Sequence, residues 1–329
     1  MRGTPVQRHR DPDGRPTAPT GASGYVFVVG MHRSGTSATT EVLSRLGLES
    51  PADDELVPAT SANERGHFEA KTLVRLNDRL LTALGGTWSA PPPLPPGWAD
   101  DASLAELRAE AAGSFAEVFP RRPAAWKDPR NCIVLPFWRT VLGAGAAAVF
   151  VYRDPLEVAG SLRARNALPL TLGLALWERY VRAACAHLEG LPTYCTNFRH
   201  VLDDPDGWVG SVSAFLEGAG VALDRDRGRD AAASVDGTLQ HHDAAEQSGT
   251  TAPSALGDSS RRILEALRTL DGPHDLWRAP ALGDEPDWVA DVLALRLEFD
   301  LLGKAHRSML SSRAFRVATA VGRLRGRPS

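Results

Sequence analysis

The sequence predicts an α/β fold, a P-loop-like parallel sheet flanked by helices on both faces, with a C-terminal helical extension. Three observations predict it. An apolar run, Tyr25-Val-Phe-Val-Val29, passes straight into a glycine loop, Gly30-Met-His-Arg-Ser-Gly-Thr-Ser37, and an amphipathic segment follows with Ala38, Val42, Leu43 and Leu46 on its apolar side. Further apolar strands alternate with helical segments, the pattern of parallel strands joined by crossovers. The length, 329 residues with 43% hydrophobic and 23% charged, suffices to bury a full core.

Taken in order, residues 1–23 hold Arg2, Pro5, Arg8, Arg10 and Pro12 with almost no apolar content, so disorder is expected there. A main domain over residues 24–280 starts with the first strand. Leu73, Leu76, Leu80, Leu81 and Leu84 mark a helix, and Pro91-Pro-Pro-Leu-Pro-Pro96 then forces an extended loop between Trp88 and Trp98. Such a loop is placed to cover a substrate, and the two tryptophans suit stacking on a sugar or an aromatic metabolite. A helix follows over about 102–118, then a short strand at 124–127 and a helix containing Ile133, Val134, Phe137 and Val141. The buried strand ending at Tyr152 leads to Arg153 and Asp154, where Asp154 is a natural N-cap and Pro155 suits the first helical turn. A long helix over 170–188 and a strand over 192–197 complete the alternation.

The charged stretch 224–230 and the polar stretch 237–251 read as loops. His241 and His242, adjacent but without a further ligand at suitable spacing, read as solvated loop residues, and no metal is expected. Residues 281–329 form the C-terminal helix and a basic tail. Trp288, Val292, Leu295, Phe299 and Leu302 follow a heptad seam, whose expected use is packing on the protein's own core, with a homodimer seam as the alternative. From Lys304 to Arg327 there are seven basic residues and no acidic one, on a remainder of 30 basic and 40 acidic residues. That asymmetry points to peripheral contact with an anionic membrane surface, and no nucleic-acid partner is expected. Three cysteines, Cys132, Cys185 and Cys195, lack metal-type spacing, and no apolar run is long enough for a bilayer span. A cytoplasmic enzyme, peripheral to the membrane at most, is the expectation.

The glycine loop carries the chemistry. Gly30 and Gly35 stand where a P-loop nucleoside triphosphatase has its glycines, but the following positions are Thr36 and Ser37 rather than Lys and Ser/Thr. The loop offers Arg33, Ser34, Gly35, Thr36 and Ser37, with backbone N–H groups at a helix N-terminus, to a phosphate; the lysine that serves a triphosphate is missing.

A Gly-x-x-Arg-Ser-Gly-Thr-Ser loop after an N-terminal strand resembles the 5′-phosphosulfate loop of sulfotransferases, which use 3′-phosphoadenosine 5′-phosphosulfate (PAPS). Arg153-Asp154-Pro155 with Ser161 eight residues after the arginine is similar to the segment that holds the nucleotide 3′-phosphate in that family. Asn63-Glu-Arg-Gly-His-Phe-Glu69 resembles a stretch of bacterial members whose terminal carboxylate opens a helix. Trp126-Lys127-Asp128-Pro129 resembles the Lys-Asp-Pro segment of the tyrosylprotein enzymes. The resemblance implies PAPS as donor and a hydroxyl of a small-molecule, carbohydrate or glycolipid acceptor, while the acidic body of the chain does not suit a highly anionic glycosaminoglycan. It implies Arg33 and Ser34 to Ser37 at the 5′-phosphosulfate, with Arg33 also counted as catalytic. Arg153 and Ser161 fall at the 3′-phosphate, Lys127 at the developing charge and Glu69 at the acceptor proton. Glu64 is expected to be exposed, and His67 is the rival base. Two alternatives remain: a P-loop nucleoside or sugar kinase, and a nucleotide-binding module without catalysis.

Overall fold

The computed structural model describes residues 24–59, 66–143, 146–235 and 257–311. Strand β1 (Tyr25–Val29) runs through the glycine loop into α1 (Thr36–Arg45), and α2 (Lys71–Ala83) and α3 (Ala105–Val118) precede β2 (Ala124–Lys127). Then come α4 (Asn131–Leu142), β3 (Ala146–Tyr152), α5 (Pro155–Asn166), α6 (Leu170–His187) and β4 (Thr193–Asn197). After β4 lie α7 (Phe198–Asp203), α8 (Pro205–Gly218), α9 (Gly228–Ala233), α10 (Asp258–Thr269), β5 (Gly272–His274) and α11 (Asp287–Ser311).

The sheet has the order β2-β1-β3-β4-β5, and the first four are mutually parallel. The expected parallel sheet is therefore extended by a short antiparallel edge, where Thr193 faces His274. Alternate residues of each strand enter separate cores, as a two-layer covering requires. Phe27, Val29, Trp126, Phe150 and Tyr152 face one side with α2, α3, α4, α6 and α10. Val26, Val28, Ala125, Val149 and Val151 face the other, with α1, α8 and α9.

Register places Val28 opposite Lys127, Val29 opposite Phe150 and Tyr152 opposite Asn197, so the carboxyl ends of β1 to β4 share one edge. The order reverses at β1, with β2 on one side and β3 on the other. Open α/β sheets bind ligands at such a switch point, outside the carboxyl ends of the strands.

Three expectations change. Residues 224–230 are not a loop: a single 3-10 turn, Arg225–Arg227, runs into α9, because Ala231, Ala232 and Val235 find an apolar seat between α1 and α8 that outweighs the local charge. Trp98 is core, only 8% exposed, and so is not available to stack on a substrate. The heptad seam of α11 packs on the body only in part. Val292 joins Val289 and Leu293 in that contact, while Leu295, Phe299 and Leu302 are 65%, 68% and 70% exposed. One step along a helix turns the side chain by about 100°, so a packing stripe one position after the seam leaves much of the seam facing outward. The stretch 1–23, residues Asn63 and Glu64, His241 and His242, and the chain after Ser311 lie outside the described residues.

Candidate active site

At the carboxyl edge of the sheet the glycine loop is shaped by close approach. A Cβ on Gly30 would overlap the Val151 carbonyl oxygen, and one on Gly35 would overlap the Phe198 ring. Gly35 also has φ of 91°, a left-handed conformation that favours glycine. Arg33 adopts φ of 70° without that freedom, and Phe68, beside Glu69, adopts 53°. Non-glycine residues in this region carry strain that the surrounding structure must hold, and such strain clusters at functional sites.

Lys127, the last residue of β2, projects into the loop. Its ammonium donates to Glu69 Oε1 at 2.6 Å, to the His67 carbonyl at 3.0 Å and to Ser37 Oγ at 3.2 Å. Both ends of the Lys127–Glu69 pair are nearly buried, 3% and 8% exposed. Ser37 also donates to the His67 carbonyl, at 3.2 Å, so the His67–Glu69 stretch is stapled to the start of α1. A lysine thus reaches the loop from the neighbouring strand and not from the loop itself.

Beyond this pair Arg130 lies 3.9 Å from Glu69 Oε2, 3.0 Å from Asp128 and 2.7 Å from Asp78. Burial alone would lower the Arg130 pKa, but Asp128, Asp78 and Glu69 reverse the shift and hold the guanidinium charged. Asn77 ties the arrangement down, donating to Asp128 at 2.9 Å while its carbonyl oxygen accepts from Trp138 at 2.8 Å.

Helix α5 closes the other side. Asp154 caps it through the Leu156 and Glu157 amides, and Trp177 fixes the Arg153 carbonyl at 3.0 Å. Ser161, expected beside Arg153, meets the glycine loop: its Oγ accepts from Arg33 Nε at 2.8 Å. The two nucleotide positions expected from sequence thus adjoin, joined through one serine. Burial, then the Arg165 and Arg153 guanidiniums, lower the Arg33 pKa to about 10. Like charges gathered this way signal a site for anions. Arg153 pairs with Glu157, which also accepts from Arg199 at 3.2 Å; together with Arg268 these residues line a cleft of about 240 Å³.

Sequence reasoning missed Arg165 and His32. Arg165, one turn after Ser161 on α5, comes within 3.5 Å of His67 Nε2. The four-residue spacing from Ser161 was the available signal. His32 packs against Trp88 and Tyr180 with ring centroids 4.9 and 5.8 Å away. Its Nε2 and the Ser34 hydroxyl are buried side-chain atoms without a hydrogen-bond partner. Orphaned polar atoms in a strained glycine loop fit a loop built to meet an anion. Trp88, on the expected covering loop, is brought to the site by Tyr180, whose hydroxyl donates to the Trp88 carbonyl at 2.7 Å.

The histidines respond to this charge. Burial, then Lys127, Arg165 and Arg33, push His67 down to about 4, and burial, then Arg130 and Lys127, push His32 well below its usual value. A folded pKa below the unfolded one means the unfolded chain binds the extra proton first. Stability from neutral His67 is fully present above about pH 6.5 and is lost as the pH falls toward 4. Melting curves across that window should fall more steeply with acid for the wild type than for His67→Gln; parallel curves would show that His67 is not held neutral by the fold.

No family model and no curated protein sequence matches the chain. Among solved structures, a sulfotransferase domain from the curacin biosynthetic pathway is similar at TM-score 0.46 and 18% identity, covering 76% of this chain and 99% of that one. A sulfotransferase domain from the Synechococcus PCC 7002 olefin synthase is similar at TM-score 0.43 and 19% identity, covering 80% of this chain and 98% of that one.

Proposed function

We propose that the protein is a sulfotransferase that moves a sulfuryl group from PAPS to a hydroxyl of a small-molecule, carbohydrate or glycolipid acceptor. The observation that carries this reading is Lys127, which enters the glycine loop from β2 and meets Ser37, the His67 carbonyl and Glu69 at once. A P-loop kinase takes its lysine from the loop itself, directed at the β- and γ-phosphates. A cation arriving from the next strand, beside a buried carboxylate, suits a shorter anion and a nearby proton transfer.

PAPS supplies an activated sulfuryl group on a bisphosphate leaving group; the rest falls to this chain's residues. Arg33 and the Ser34–Ser37 loop hold the 5′ end through the loop amides and the Ser34 hydroxyl. Arg153 and Ser161 hold the 3′ end, and Ser161 also accepts from Arg33. Lys127 holds positive charge at the bridging position, and Glu69 is placed to accept the acceptor's proton at Oε2, the oxygen Lys127 does not hold. Positioning and fixed charge provide most of the catalysis in such in-line transfers.

Adenosine 3′,5′-bisphosphate should raise the melting temperature of the protein while ATP at the same concentration does not, since only a ligand bound to the native state stabilises it. A larger shift with ATP would favour the kinase. Arg33→Ala, Arg153→Ala and Ser161→Ala should each weaken the bisphosphate, the arginines by about 1.5–3 kcal/mol as charge-assisted contacts. Unchanged affinity in Arg153→Ala would remove the 3′-phosphate assignment. Bisphosphate binding with no sulfated product in an acceptor screen read by mass spectrometry would leave a binding module.

A further inference from the structure

We propose that the C-terminal half of α11 docks on an anionic lipid surface. Among the described residues, nearly every exposed large apolar side chain lies on this one helix: Leu295, Phe299, Leu301 and Leu302 are 57–70% exposed, Met309 51% and Leu310 41%. The first turns are anchored by Val289 and Leu293 in the core. Arg296 then pairs with Asp300, which accepts from Ser89 at 3.1 Å. After Asp300 the side chains face outward, with only Gly303 intermediate. An apolar face of this kind, on one projecting element, marks an interaction surface.

Charge selects the occupant. From Leu301 to the end of the chain there are seven Lys and Arg and no Asp or Glu, whereas the rest of the chain is net acidic. A nucleic acid or another soluble polyanion would use the charge and leave the leucines and Phe299 in water. A parallel second copy would cover the leucines but set two basic segments side by side. An anionic lipid interface takes both features together, apolar side chains into the acyl boundary and basic side chains at the headgroups. Repulsion of the acidic body from the same surface would leave this end as the point of approach. The helix, on its opposite side, also adjoins the candidate site: Ser89, which donates to Asp300, is next to Trp88, whose ring lies against His32.

The test uses the full chain and vesicles of phosphatidylcholine with or without phosphatidylglycerol, read by flotation. The wild type should bind the anionic vesicles, bind neutral ones at least tenfold more weakly, and lose anionic binding as salt rises. Phe299→Ser/Leu302→Ser changes no charge and replaces outward side chains, so its melting temperature should match the wild type while vesicle affinity falls at least tenfold. Deleting residues 312–329 should weaken binding as well. Three results would overturn the proposal: no wild-type binding to anionic vesicles, equal binding by the double variant, or a wild-type dimer in ultracentrifugation that the double variant dissociates without losing vesicle binding. The last would assign the face to a second copy of the chain.

Discussion

Glu69→Gln should lower turnover by roughly 10²–10⁴-fold while leaving bisphosphate affinity nearly unchanged. The substitution keeps an oxygen that can accept from Lys127, 2.6 Å away, and removes the carboxylate's charge together with its ability to take a proton, so some stability is lost as well. The control is His67→Gln. The His67 carbonyl, rather than its ring, is what meets Lys127 and Ser37, so the ring change should spare the loop while testing the rival base. Near-normal turnover in Glu69→Gln, with a large loss in His67→Gln, would transfer the role to the histidine.

Lys127→Met should be nearly as damaging to turnover, by roughly 10²–10³-fold, the loss seen when a preorganised charge-stabilising donor is removed. It should also cost stability, because Glu69 would remain a buried carboxylate without its partner, a change worth about 3–5 kcal/mol. Arg130, 3.9 Å from the other carboxylate oxygen, keeps the expected loss at the lower end. Two effects of one substitution are separable. Lys127→Met/Glu69→Gln removes the orphaned charge and should recover much of the melting temperature with no recovery of turnover. If turnover returned together with stability, Lys127 and Glu69 would be a structural ion pair only.

Much of this framework was legible along the chain. The strands ending at Val29, Lys127, Tyr152 and Asn197 are short apolar runs that enter either a glycine loop or a helix with its cap, and such signals are local. Asp154 reads as a cap because its side chain reaches the Leu156 and Glu157 amides within the same turn. Helices α7, α8 and α10 and strand β5 were not identified, and α9 was read as a loop. In α9 the cause is burial of Ala231 and Ala232 against α1 and α8, which a six-residue segment cannot announce by its period, whereas α8 (Trp208, Val209, Val212, Phe215, Leu216) and α10 (Ile263, Leu264, Leu267) do carry helical spacing, a local signal present in the sequence.

What the sequence determined by itself was the fold class, the glycine loop with its missing lysine, and the residue types available for an anion and a proton. These depend on hydrophobic period, turn chemistry and side-chain identity, properties of neighbouring residues. Tertiary structure alone decided which groups meet. Lys127 and Ser37 are 90 residues apart and Arg33 and Ser161 are 128 apart, and the register of β1 with β2, together with the seating of α5 beside the glycine loop, brings them within hydrogen-bonding distance. The same packing decided that α11 rests on Val289 and Leu293 and turns Leu295, Phe299 and Leu302 outward. A helical pattern shows that an apolar face exists, but the shape of the body beneath it sets which residues that face is pressed against.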